Sequence, residues 1–141
     1  MHDDCVIRSF EPRDQDAVAA LWRAVFPGDP AWNDPAAVIR RKLTVQPDLL
    51  LVGERAGVVI ATVIGGFDGH RGWIYHLAVA AAERRRGIGR AMMAAVEERL
   101  RALGCTKINL QIRRSNAEVV GFYERLGYAV EDRISMGKRV V

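Results

Sequence analysis

Cysteine is scarce in this chain of 141 residues, with Cys5 and Cys105 the only two. Two cysteines so far apart make no disulfide framework, and a reducing cytoplasm is the simpler setting. Histidine is also scarce, at three residues. Scattered histidines and two distant cysteines give no zinc spacing, so no metal is expected. No apolar run approaches the ~20 residues that span a bilayer, which removes the membrane from the expected partners. The start, Met1-His2-Asp3-Asp4, is acidic and polar and lacks both the basic end and the apolar run of a signal peptide. These absences lead to the expectation of a cytoplasmic protein. Half of the residues are hydrophobic and 27% are charged, as in an ordinary folded domain. The length fits one domain of ~100–150 residues, taken as 1–141, and excludes separate cofactor and substrate halves.

Charge of one sign is also nearly absent as an excess. The chain has 21 Lys and Arg against 17 Asp and Glu, a net charge of +4. Arg84, Arg85, Arg86 and Arg90 alone account for that excess. The remainder is balanced, which argues against a nucleic-acid partner and for one compact anion site.

The pattern along the chain is that of an α/β fold. Cys5 to Ser9 reads as a short strand. Pro12-Arg13-Asp14 starts a helix whose apolar stripe is Val18, Leu21, Trp22 and Val25. Pro27-Gly28-Asp29-Pro30 ends it. A second helix runs from Pro35 to about Val45. Leu49–Arg55 and Val58–Gly66 form a hairpin about Ala56-Gly57. Phe67–Gly72 is a turn, and Trp73–Val79 is so apolar that it reads as a strand buried on both faces. Gly87 opens a long helix with the stripe Ile88, Met92, Val96, Leu100 and Leu103, and Gly104 stops it. Glu97 and Arg101 can pair on its outside. Lys107–Ile112 is a strand, parallel to Trp73–Val79 through a right-handed crossover. Ser115-Asn116-Ala117-Glu118 has the pattern of a capping box and opens a helix carrying Phe122, Tyr123 and Leu126. Ala129–Val141 holds the last one or two strands.

The chemistry concentrates where the buried strand Leu77-Ala78-Val79 runs into Arg84-Arg85-Arg86-Gly87-Ile88-Gly89-Arg90. A helix start presents unpartnered N–H groups and a positive dipole end, which suit a phosphate. Gly87 and Gly89 let the backbone approach it, and the arginines add bidentate donors. A pyrophosphate is the natural ligand. The dinucleotide fingerprint fails at its third glycine, where Met92 stands. No P-loop and no Gly-x-Ser-x-Gly elbow occurs.

Arg84-x-x-Gly87-x-Gly89 after a buried strand resembles the acyl-CoA motif of the GNAT superfamily of N-acetyltransferases. Asn116 followed by Phe122-Tyr123-Glu124-Arg125-Leu126-Gly127-Tyr128 is similar to that family's second signature. The element order agrees over essentially the whole chain. The resemblance implies a mixed, mostly antiparallel sheet of six to seven strands with a splayed parallel central pair and four helices. It implies acetyl transfer from acetyl-CoA to a primary amine by direct attack, the amine borne by a small molecule or a protein. Leu77, Ala78 and Val79 would bond the pantetheine arm through their backbone, and Arg84 to Arg90, with Ile88 among them, would hold the pyrophosphate. A backbone N–H of this strand would stabilise the oxyanion. Tyr123 would protonate the departing thiolate. Asn116 is either a pantetheine contact or a helix cap.

Departures from the pattern bear on the acceptor. Val119 stands where the family often has Ala. Members that acetylate protein N-termini often carry Glu five residues before the asparagine, and here Gln111 cannot ionise. Trp73–Val79 holds no carboxylate to serve as base. His76 alternates away from Leu77 and Val79 unless a bulge intervenes. His70, Asp68, Tyr75 or a water chain are the other candidates. Trp32-Asn33-Asp34 is either part of the acceptor pocket or a capping loop before Pro35. Without an evident base, a non-catalytic acyl-CoA sensor is the alternative to an enzyme. A monomer or a homodimer is compatible with the sequence.

Overall fold

The computed structural model describes residues 5–141, so the acidic start Met1–Asp4 lies outside the described residues. Two units meet in sequence between Gln111 and Ile112. The first holds β1 (Val6–Ser9), α1 (Gln15–Val25), α2 (Pro35–Lys42), β2 (Leu50–Arg55), β3 (Val58–Phe67), β4 (Gly72–Val79), α3 (Ile88–Ala102) and β5 (Ile108–Leu110). The second, Ile112–Val141, holds a 3-10 turn at Arg114–Val119 and the helix α4 (Val120–Arg125).

The strand order is β1-β2-β3-β4-β5. The first three pairings are antiparallel; short turns join β2 to β3 and β3 to β4, while α1 and α2 lie between β1 and β2. β4 and β5 are parallel, because the whole of α3 lies between them. Side chains alternate along each strand, so each face of the sheet needs its own cover. Leu50, Val52, Ile64 and Ala78 meet Val18, Leu21 and Trp22 of α1 and Ile39 of α2 in one buried cluster. On the other face α3 presents the buried Met92, Met93, Val96 and Leu100. Its close seat depends on Gly65 of β3, where an added Cβ would stand 2.7 Å from Cγ2 of Val96.

Several expectations are corrected. Among the described residues the sheet has five strands, all in the first unit, where six to seven were expected. Within those five the parallel pair β4–β5 stands at the end of the order, where a central pair was expected. β4 is not sealed on both faces: Ile74 and Ala78 are buried, while Tyr75 is half exposed. Thr44 and Val45 turn back on Arg41 and Lys42 instead of continuing α2. Leu103 leaves the buried stripe of α3, and Arg101 pairs with Glu98, one turn back at 2.7 Å. No helix among the described residues is long and apolar enough to cross a membrane.

Side-chain ties fix the edge of the sheet. Arg8 on β1 donates to both carboxylate oxygens of the buried Asp14 at 2.8 and 2.9 Å, and to Glu54 on β2 at 2.6 Å. Such charge-assisted, two-pronged contacts are the stronger class of hydrogen bond. They hold Asp14 well below the usual carboxylate range.

Candidate active site

β4 is the spine of the site. Its ladder with β5 stops at Ile74 and Leu110, while β4 itself continues to Val79. The stretch Tyr75–Val79 therefore has a backbone edge that β5 does not use. On its other edge the register with β3 breaks. Ile64 faces Tyr75 and Thr62 faces Ala78, so His76 and Leu77 together stand opposite Val63. That is a bulge, and its signature is the left-handed φ of 52° at His76.

The bulge is pinned from inside. The fully buried Thr62 donates its hydroxyl proton to the carbonyl of His76 at 3.0 Å and accepts from the indole Nε1–H of Trp22 at 2.8 Å. The His76 ring lies tilted against Trp22 at 4.6 Å and edge-on to Phe26 at 5.4 Å. The bulge thus moves His76 off the simple alternation that points it away from the site. His76 lines a cavity of about 360 Å³ together with Trp22 and Phe26 of α1 and the following residue, and with Asp29, Asn33 and Asp34. Asn33 donates to Asp29 at 3.4 Å. Asp34 accepts from the N–H of Ala37 and caps α2. Trp32 does not line the cavity; its carbonyl accepts from Arg41.

At the far end of β4 the chain makes a 3-10 turn, Ala81–Glu83, and then the arginine run. Arg84 is extended, Arg85 has a φ of 66°, and Gly87 has a φ of 77° and caps α3. Turns of this kind direct successive N–H groups into one concavity, an anion nest. The first N–H groups of α3 lack helical partners and add to it. No atom stands within 4 Å of where a Cβ on Gly87 would be, so the cradle is open at that point. Arg84, Arg85, Arg86 and Arg90 are exposed there. Glu83 is held by Arg55 of β2 and lies 3.9 Å from Arg86. Arg84 Nε–H reaches back to the carbonyl of Val79 at 3.3 Å. Ile88 and Ala78 are buried, so they can serve a ligand only through backbone groups. An open cradle, a helix start and a run of exposed arginines together suit a phosphate or pyrophosphate group.

Asn116 and Tyr123 belong to the second unit. Asn116 interrupts its 3-10 turn with φ −119° and ψ 31°; the N-cap positions are Arg113 for that turn and Val119 for α4, and neither makes a side-chain cap bond. The expected capping box is therefore not formed, and α4 begins later, at Val120. Tyr123 lies edge-on to Phe122 at 5.0 Å and to Tyr128 at 5.9 Å. Burial pushes its phenol above the ordinary tyrosine range.

Comparisons with known proteins agree with this geometry. The sequence model described as acetyltransferase (GNAT) family matches residues 15–128. A protein of Pectobacterium atrosepticum named acetyltransferase is 45% identical over 135 residues, 96% of this chain and 95% of that one. One of Sodalis glossinidius, also named acetyltransferase, is 44% identical over 136 residues, with the same coverage of both chains. Among solved structures, Ard1 from Thermoplasma volcanium superposes with a TM-score of 0.82 at 24% identity, over 92% of this chain and 85% of that one. The aminoglycoside N-acetyltransferase AAC(6')-Iy, in complex with CoA, superposes with a TM-score of 0.79 at 18% identity, over 100% and 98%. At these identities the two structures establish the shared fold.

Proposed function

The chain belongs to the acetyltransferase (GNAT) family, and from that premise we propose that it acetylates a primary amine held in the cavity between α1 and β4. Acetyl-CoA is the donor. The proposal treats residues 1–141 as a single catalytic domain. The observation that carries it is the stretch of β4 beyond Ile74 that β5 does not pair, with the cavity beside it and the open anion nest at its end.

In this reading the nest from Arg84 to Gly89, with Arg90, binds the pyrophosphate. The backbone of Leu77, Ala78 and Val79 bonds the pantetheine arm as a strand would. The amine attacks the thioester carbonyl directly in a ternary complex. A backbone N–H at the bulge, where the β3 ladder is out of register, donates to the oxyanion. Tyr123 gives its proton to the thiolate, a role for which a phenol kept neutral by burial is suited. Asn116 is assigned to the pantetheine arm. The acidic Asp29 and Asp34 of the cavity favour a cationic acceptor.

Two measurements test this. Calorimetry is expected to detect acetyl-CoA binding by the folded protein, and its absence overturns the donor assignment. A thiol-release screen of small amines, amino acids and peptides is expected to find turnover. Tight CoA binding with no thiol release from any amine would instead make the protein an acyl-CoA sensor.

A further inference from the structure

We propose that His76 is the group that takes the proton from the acceptor ammonium. The inference rests on the transfer reading above and deepens it, since a protonated amine has no lone pair with which to attack.

Three observations carry it. First, the chain adopts a costly backbone to place this ring. A non-glycine residue with positive φ is uncommon and persists only where the surroundings over-determine it. Second, the surroundings do over-determine it. The buried Thr62 ties the His76 carbonyl to the Trp22 indole, and Trp22 and Phe26 hold the ring on two sides. A buried hydroxyl spent on a bulge carbonyl fixes an orientation that a regular strand would not give. Third, the ring so placed lines the cavity from β4 itself, the strand assigned to the thioester. An acceptor in this cavity would therefore meet the histidine on the same strand that presents the carbonyl.

The charged groups that share the cavity lining with His76 are Arg23 of α1, and Asp29 and Asp34 of the segment that follows it. Thr62 faces it from β3. Neither aspartate replaces it as base in this scheme: Asp34 is occupied as the cap of α2, and Asp29 accepts from Asn33.

The step balances as follows. The ammonium gives one proton to a ring nitrogen of His76, leaving a neutral amine. The amine lone pair forms the C–N bond at the thioester carbonyl. The C–S bond then breaks and its electron pair leaves on sulfur. Tyr123 protonates that thiolate, and the second proton of the new amide nitrogen returns to the tyrosine oxygen. The proton on His76 passes to solvent before the next turnover.

The test compares the parent protein with His76→Asn and His76→Gly, using the most active amine of the screen. Asn and Gly both accept a left-handed φ, so the bulge survives while the base is lost. At neutral pH kcat/KM is expected to fall by roughly 10²–10⁴-fold, with acetyl-CoA binding kept. The loss is expected to shrink as pH rises toward the pKa of the amine, which then arrives deprotonated. Added imidazole is expected to restore part of the activity of His76→Gly. Undiminished kcat/KM in His76→Asn overturns the proposal, as does a fall that is uniform across pH and unrescued by imidazole. A parent protein that binds acetyl-CoA but turns over no amine overturns the transfer reading, and this proposal with it.

Discussion

Thr62 has no exposed surface and two hydrogen bonds, one to each side of the site. Replacing it by Val keeps the shape but orphans the Trp22 indole N–H and loosens the His76 carbonyl. A buried donor left without a partner costs about 1–3 kcal/mol. Thr62→Val is therefore expected to lower Tm and also kcat, the latter because the bulge is less firmly held. Denaturation followed by thiol release checks both, and an unchanged Tm would mean the indole finds another acceptor. Tyr123 acts through its proton alone in the proposed scheme. Tyr123→Phe is expected to lower kcat by roughly 10²–10⁴-fold while acetyl-CoA binding persists. Its phenol is shifted upward by burial, so in the parent the proton stays on through neutral pH. The fall of kcat on the alkaline side is thus expected only above the ordinary tyrosine range near ~10. Turnover unchanged in Tyr123→Phe would return the residue to packing.

At the level of elements, the turn into α3 is the most exacting piece. Gly87 combines a φ of 77° with open space over its Cα. Ala there pays a left-handed penalty of roughly 1–2 kcal/mol and puts a methyl group into the cradle. Gly87→Ala is expected to raise the Kd for acetyl-CoA far more than it lowers Tm, which calorimetry and a melting curve separate. This element was legible in the sequence, because its requirements are local: two glycines, a basic run, an apolar strand before and an apolar stripe after. The stripe of α1 and the hairpin of β2 and β3 were legible for the same reason. The bulge was not. It arises from the register of β3 against β4, a relation between residues that no single segment encodes, so alternation placed His76 on the wrong side. The Ser115–Glu118 pattern misled in the opposite way. Its spacing is local, yet the backbone at Asn116 leaves the helical region and the helix starts only at Val120.

For the whole molecule, stability in acid follows from contacts that join distant parts of the chain. Arg8, Asp14 and Glu54 tie β1 to β2 and to the start of α1, across a sequence separation of 46 residues between Arg8 and Glu54. No periodicity announces such a tie. Asp14 has its pKa depressed in the folded protein by Arg8. Its contribution is therefore complete above the unfolded value near ~3.9 and is lost as pH falls through the lower folded value. Asp14→Asn is expected to cost about 1–3 kcal/mol at neutral pH. The gap between parent and variant should close in acid, below about pH 4, as denaturant unfolding across pH would show. A gap that stays constant with pH would mean that Arg8 gains nothing from the charge of Asp14.

The bulge also limits the alphabet open to the chain at one position. A residue with φ near 52° in a strand excludes the β-branched and bulky side chains that strands otherwise favour. Glycine, asparagine, aspartate and histidine adopt that conformation most readily. Two of these four, aspartate and histidine, can carry a proton. A backbone irregularity has thereby screened the candidates for a chemical role before any selection on chemistry, and random substitution at position 76 should reveal two nested filters, a broad one for folding and a narrow one for turnover.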